Sequence, residues 1–292
     1  MSTTVERLGV IGGGTMGAGI AEVSLRAGVD VTVLVSAPHR IEDTVGRLTA
    51  AFARAVAKGR MTVPEQAAAM SRLRVTANVE DLADRQFVVE AVTERLDVKQ
   101  RVFKAVDRVL ADPAAVLAST TSSLLVGDLA EATGRAGSVV GMHFFNPVPL
   151  MPLVEVVVTD RTSQQCAASA ESFAKDTLGK EVIRTADRSG FVVNALLVPY
   201  LMAAVTMYDQ GIADADDIDR GMVLGCGHPM GPLALLDLIG IDTITDVARS
   251  MAEHSEGLVP ELPPLLTRMV REGRLGRKTG RGFHRYDESS GS

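Results

Sequence analysis

The chain has 292 residues, 46% apolar and 23% charged, enough for two domains with full cores. A formal net charge of −6 and the lack of a long basic block argue against nucleic acid or an anionic membrane as partner. Two cysteines, Cys166 and Cys226, and five scattered histidines give no metal-ligand spacing. No metal is expected, and a reducing, cytoplasmic setting is.

The first strand is predicted to begin by about Val5, which leaves no room for a secretory leader. It runs into the turn Gly12-Gly13-Gly14-Thr15-Met16-Gly17, which fits G-x-G-x-x-G, and a helix is predicted over Ala18 to Ala27. A glycine fingerprint between strand and helix reads as a pyrophosphate cradle. The second strand ends at Val35. Thr44 to Ala57 reads as a helix closed by Lys58-Gly59-Arg60, and Pro64 to Met70 as another. Strands are predicted at Leu73 to Val75, Phe87 to Val89, Val116 to Ala118, Val139 to Gly141 and Val154 to Val158. Val98 to Leu110 is amphipathic, with Val98, Val102, Val106 and Val109 on one face. This alternation implies a mostly parallel sheet covered on both faces. The pattern changes near Asp187-Arg188-Ser189-Gly190. Helices are then predicted over Phe191 to Gln210, Ala215 to Leu224, Leu233 to His254 and Pro263 to Glu272. The longest apolar run, Ala195 to Met207, is too short to span a membrane and contains Pro199. Ser289 to Ser292 read as a disordered or non-native tail. The fold class is therefore an α/β Rossmann-type dinucleotide-binding domain, residues 1–188, followed by an all-helical domain, residues 189–292.

Two further blocks are Ala118-Ser119-Thr120-Thr121-Ser122-Ser123-Leu124 and Gly141-Met142-His143-Phe144-Phe145-Asn146-Pro147, the second followed by Leu153-Val154-Glu155-Val156. With the glycine turn they resemble the L-3-hydroxyacyl-CoA dehydrogenase family, in particular its short bacterial 3-hydroxybutyryl-CoA dehydrogenases. The resemblance continues through Gly190-Phe191-Val192-Val193-Asn194, His228-Pro229-Met230-Gly231-Pro232 and Leu275-Gly276-Arg277-Lys278-Thr279-Gly280. It implies an inserted helical pair in the first domain, a homodimer formed through the second, and oxidation of a 3-hydroxyacyl-CoA with a nicotinamide cofactor. It also implies that His143 is the general base and Glu155 its partner, that Ser122 and Asn194 hold the substrate oxygen, and that Glu94 and Lys99 lie near the cofactor. Asn146 falls in the same block and is expected on the substrate side.

The residue types suit that chemistry. A hydride leaves a carbinol carbon only as the hydroxyl proton leaves, and histidine takes a proton near neutral pH. Glu155 is on a predicted strand twelve residues past His143, so the chain can fold back and pair them. Arg47, Arg54 and Lys58 share a helical face and are expected to meet the CoA phosphates. The twelve methionines read mainly as core filling.

The sequence departs from its family at several points. Val35 stands where an NAD site usually has a carboxylate, while Ser36 and Arg40 follow and suit a 2′-phosphate. Both NAD and NADP stay open. Thr120 replaces a usual asparagine, Pro152 a lysine, Ala195 an arginine and His284 a tyrosine. Alternatives are a dehydrogenase of a free hydroxy acid or sugar acid, whose motif would read H-P-V-N-P, and a non-catalytic dinucleotide-binding protein, which would not need His143 and Glu155.

Overall fold

The structure, a computed structural model, describes residues 5–254 and 261–286. The chain divides into two compact units after Asp187. In the first, the strands are β1 (Arg7–Ile11), β2 (Asp30–Leu34), β3 (Leu73–Thr76), β4 (Phe87–Glu90), β5 (Val116–Ser119), β6 (Val139–Phe144), β7 (Leu153–Val158) and β8 (Glu181–Ala186). They form one sheet in the order β3-β2-β1-β4-β5-β6-β7-β8. All pairs are parallel except β6 with β7. Strands β4, β5 and β6 are buried along their whole length, so they read as continuous rather than alternating apolar runs.

The helices of this unit are α1 (Thr15–Arg26), α2 (Arg40–Ala57), α3 (Val63–Met70), α4 (Leu96–Val109), α5 (Val126–Ala130) and α6 (Gln164–Ser172). Helices α2 and α3 are the pair inserted between β2 and β3. Helix α3 opens on a capping box between Thr62 and Glu65. Helix α1 starts three residues earlier than its sequence predicts. Gly17 lies inside it because a side chain there would strike the carbonyl of Gly12, so this glycine marks close approach and not a helix break. Helix α2 starts at Arg40 rather than Thr44, with Glu42 and Asp43 favourably placed in its first turn.

Three elements do not follow from the sequence, the short helix α5 among them. Strand β8 is a half-exposed edge strand without an apolar run, and α6 is built of small residues behind a Ser163 cap. The inward face of α4 also differs from expectation. Lys99, Phe103 and Val106 are buried, whereas Val98 and Val102 turn towards the cavity beside the glycines.

The second unit contains α7 (Val193–Asp209), α8 (Ala215–Cys226), α9 (Pro232–Ile239), α10 (Ile241–His254) and α11 (Pro264–Arg271). Its core gathers Leu201, Val205, Leu233, Leu236, Ile241 and Leu266, with Met202, Met251 and Met269 among them. The helix predicted over Leu233 to His254 is two helices, because Gly240 takes φ +110° between them. Asp237, 1% exposed, accepts hydrogen bonds from the Phe283 and His284 amides and the Tyr286 hydroxyl, which ties the chain's last described turn to α9. The tail at 289–292 lies outside the described residues. Among the described residues no helix is long and apolar enough to cross a membrane.

Candidate active site

His143 lies on β6 and Glu155 on β7, directly opposite each other in the antiparallel register. His143 Nδ1 is 2.6 Å from Glu155 Oε2. The imidazole is 4% exposed and the carboxylate fully buried, so water does not compete for this bond. The other ring nitrogen, Nε2, is 3.2 Å from Ser122 Oγ. With Nδ1–H donating to Glu155, Nε2 accepts from the serine hydroxyl. Ser122 belongs to the turn after β5. It does not cap a helix, since α5 begins only at Val126 and its N-cap is Leu125.

That turn is held by Glu94. Its Oε1 accepts from Thr121 Oγ1 at 2.6 Å, the Ser122 amide at 2.8 Å and the Ser123 amide at 3.2 Å. Burial alone pushes the Glu94 carboxyl up. Lys99 and the hydrogen bonds from Thr121 and Ser122 outweigh it and leave the group below the usual glutamate value. Lys99 is 1% exposed and sits between the partly exposed Glu94 and the buried carboxylate of Glu90. It is thus an interior residue, one step behind any ligand that Glu94 meets.

The glycine turn forms the cradle that its fingerprint implies. A Cβ on Gly12, at φ +110°, would meet the Ala91 carbonyl, while one on Gly14 would meet nothing within 4 Å. Space therefore lies over Gly14, where the N-terminus of α1 opens with Thr15 and Met16 and no side-chain cap. A backbone phosphate site needs these features, so the residues present fit a dinucleotide. The cavity over them has a volume of about 590 Å³ and includes Val98 and Val102 in its wall, a lining that periodicity does not reveal, since it puts both on one helix face without showing what that face meets. Val35, 4% exposed, closes its floor, and Ser36 and Arg40 stand at its edge with Asp43 nearby.

A second cavity, of about 470 Å³, is lined by Arg47, Arg54 and Lys58 together with Arg26 and Arg60. Asn146 and Leu150 also line it. Arg26 and Arg60 escaped the sequence reading because they lie on other elements, at the end of α1 and in the α2–α3 loop. Periodicity groups residues within one helix only. Glu22 is the carboxylate of this cavity. Burial raises its pKa, and Arg26 and Arg54 temper the rise. Arg47 lines both cavities. Asn194 belongs to the second unit, as the second residue of α7.

Residues 7–188 match the family model described as 3-hydroxyacyl-CoA dehydrogenase, NAD binding domain, and residues 190–286 match the model of the C-terminal domain. The chain belongs to the 3-hydroxyacyl-CoA dehydrogenase family. It is an oxidoreductase with a nicotinamide cofactor. It is 50% identical over 286 residues to a 3-hydroxybutyryl-CoA dehydrogenase of Mycobacterium tuberculosis, an alignment covering 98% of this chain and 100% of the relative. It is 40% identical to the human mitochondrial hydroxyacyl-coenzyme A dehydrogenase, covering 97% and 91%. Among solved structures, M. tuberculosis FadB2 superposes with a TM-score of 0.92 at 50% identity, covering 98% of this chain and 100% of that one. The (S)-3-hydroxybutyryl-CoA dehydrogenase PaaH1 of Ralstonia eutropha gives 0.89 at 36%, with the same coverage.

Within the family the departures fall outside the His143, Glu155 and Ser122 cluster. Thr120 is buried beside it, its amide bonded to the Glu90 carbonyl. Pro152 precedes β7 and accepts from the Glu181 amide. His284 pairs with Asp219 at 2.8 Å and Asp216 at 3.3 Å in the second unit. Nothing in the structure explains Ala195.

Proposed function

We propose that the protein interconverts a short-chain 3-hydroxyacyl-CoA, such as 3-hydroxybutyryl-CoA, with its 3-oxoacyl-CoA by hydride transfer, with His143 as the acid–base group. The observation that carries this reading is the buried imidazole held by Glu155 on one side and facing Ser122 on the other, in the same unit as the glycine cradle. The names of the relatives supply the substrate class. When bound, the nicotinamide supplies the hydride acceptor. His143 Nε2 takes the hydroxyl proton, and Glu155 keeps the opposite nitrogen protonated and stabilises the imidazolium. In the reverse direction His143 returns the proton, and the Ser122 hydroxyl donates to the developing oxyanion. Asn194 is assigned to the same oxygen on its family motif alone.

Gly12, Gly14, Thr15, Met16 and Gly17 would bind the cofactor phosphates. Ser36 and Arg40 would face its adenosine ribose, with Glu94 on the nicotinamide side. Arg47, Arg54, Lys58 and Asn146 would take the CoA end of the substrate. The second unit exposes Leu196, Ile212 and Leu224, each more than three-fifths accessible, and we assign these apolar side chains to contacts with a second copy. Light scattering should then give twice the chain mass.

The direct test is reduction of acetoacetyl-CoA with NADH and with NADPH. His143→Ala should lower kcat by about 10²–10⁴-fold and leave cofactor affinity nearly unchanged. A variant with near-normal turnover would remove His143 from the mechanism.

A further inference from the structure

Glu90 is a carboxylate that the reaction does not use, yet it is 1% exposed and fully engaged. Its Oε1 accepts from the Val92 amide at 2.6 Å and from Lys99 Nζ at 2.8 Å. Its Oε2 accepts from Ser119 Oγ at 2.7 Å and from Lys99 Nζ at 3.0 Å. Two paths lead from it to the catalytic turn. Ser119 Oγ accepts from the Thr121 amide at 3.2 Å. Lys99 reaches Glu94 Oε2 at 3.2 Å, and Glu94 gathers Thr121 Oγ1 and the amides of Ser122 and Ser123.

We propose that Glu90 is a positioning residue: through Lys99, Glu94 and Ser119 it fixes the Thr121–Ser123 turn, and with it the Ser122 hydroxyl, against His143. This rests on the acid–base role of His143 given above. The physical basis is charge balance in a dry interior. A buried ammonium group is held by opposite charge, and Glu90 and Glu94 share this one cation. Without the Glu90 charge, Lys99 turns wholly to Glu94 and draws it off the serine turn. The hydroxyl then loses the fixed geometry that catalysis needs.

The test is a double-mutant cycle between Glu90→Gln and Ser122→Ala. Glutamine keeps the shape and an acceptor but not the charge. It should lower kcat about tenfold in the wild-type background, the worth of one hydrogen bond to a charged group. In the Ser122→Ala background it should cost less than about twofold, because its route of action is already gone. Equal losses in both backgrounds, or none in either, overturn the proposal. Should Glu90→Gln not fold, Thr121→Val breaks the same latch at its far end and must show the same non-additivity with Ser122→Ala. Amide exchange supplies an arm without turnover: Glu90→Gln should speed exchange of the Ser122 and Ser123 amides tenfold or more while β4 and β5 stay protected. Unchanged exchange overturns the latch. If Glu90→Gln speeds exchange of these amides but the wild-type protein does not turn over acetoacetyl-CoA, the short-chain substrate reading is overturned instead.

Discussion

A histidine that moves a proton at neutral pH needs one ring nitrogen held and the other left to work. Here the holding group is Glu155, 2.6 Å from Nδ1 and without any exposure. Glu155→Gln keeps the shape and removes the charge. The imidazolium that forms as the hydroxyl proton is taken loses its counter-charge, so the step that creates it is slowed. The expected result is a kcat loss of about 10- to 10⁴-fold, the upper end being that of a serine protease deprived of its orienting carboxylate. An unchanged rate would dissolve the pair. The closeness of His143 and Glu155 was legible because a twelve-residue separation suits two antiparallel strands. The Glu90–Lys99 pair was not. Its members lie nine residues apart across a strand and a helix, and a lysine on an amphipathic helix reads as solvated. Only packing shows that its face is the inward one.

At the scale of elements, the junction of β2 and α2 is where the proposed cofactor placement puts the adenosine ribose. The Val35 amide continues the sheet by donating to the Thr76 carbonyl at 2.8 Å, and its side chain packs into the core. No carboxylate stands at that position to accept from the 2′-hydroxyl of NAD or to repel a 2′-phosphate. Such a bond is worth about 1.5–3 kcal/mol, or roughly ten- to a hundredfold in affinity. NADPH should therefore support turnover within about tenfold of NADH, or better. Val35→Asp should shift the preference towards NADH, and Arg40→Ala should weaken NADPH alone. A wild-type preference for NADH above about a hundredfold, roughly 2.7 kcal/mol, would mean that another group reads the ribose. The central strands and long helices were legible because they are apolar throughout or periodic. Strand β8 was not, since an edge strand with one wet face carries little apolar signal. The split of the last long helix turned on Gly240, whose left-handed backbone does not follow from composition.

The whole molecule carries a net charge of −6, which repels an acyl-CoA at long range. The cavity lined by Arg26, Arg47, Arg54, Lys58 and Arg60 reverses that sign locally. The helical stripe was legible from spacing, but the wall it belongs to was not, because α1 and the α2–α3 loop complete it only in three dimensions. If the wall meets the CoA phosphates, its contribution is electrostatic, exposed to solvent and screened by salt. Replacing Arg47, Arg54 and Lys58 together with glutamine should raise the KM for acetoacetyl-CoA by about five- to a hundredfold, taking roughly 0.3–1 kcal/mol per exposed charge. The dependence of KM on salt should flatten, since the charges that salt screens are gone. A pantetheine-truncated thioester lacks the nucleotide phosphates, so its KM should hardly change between wild type and triple variant. That control separates a phosphate site from a general disturbance of the first unit. Equal harm to both substrates would mean that the basic wall does not hold the CoA end.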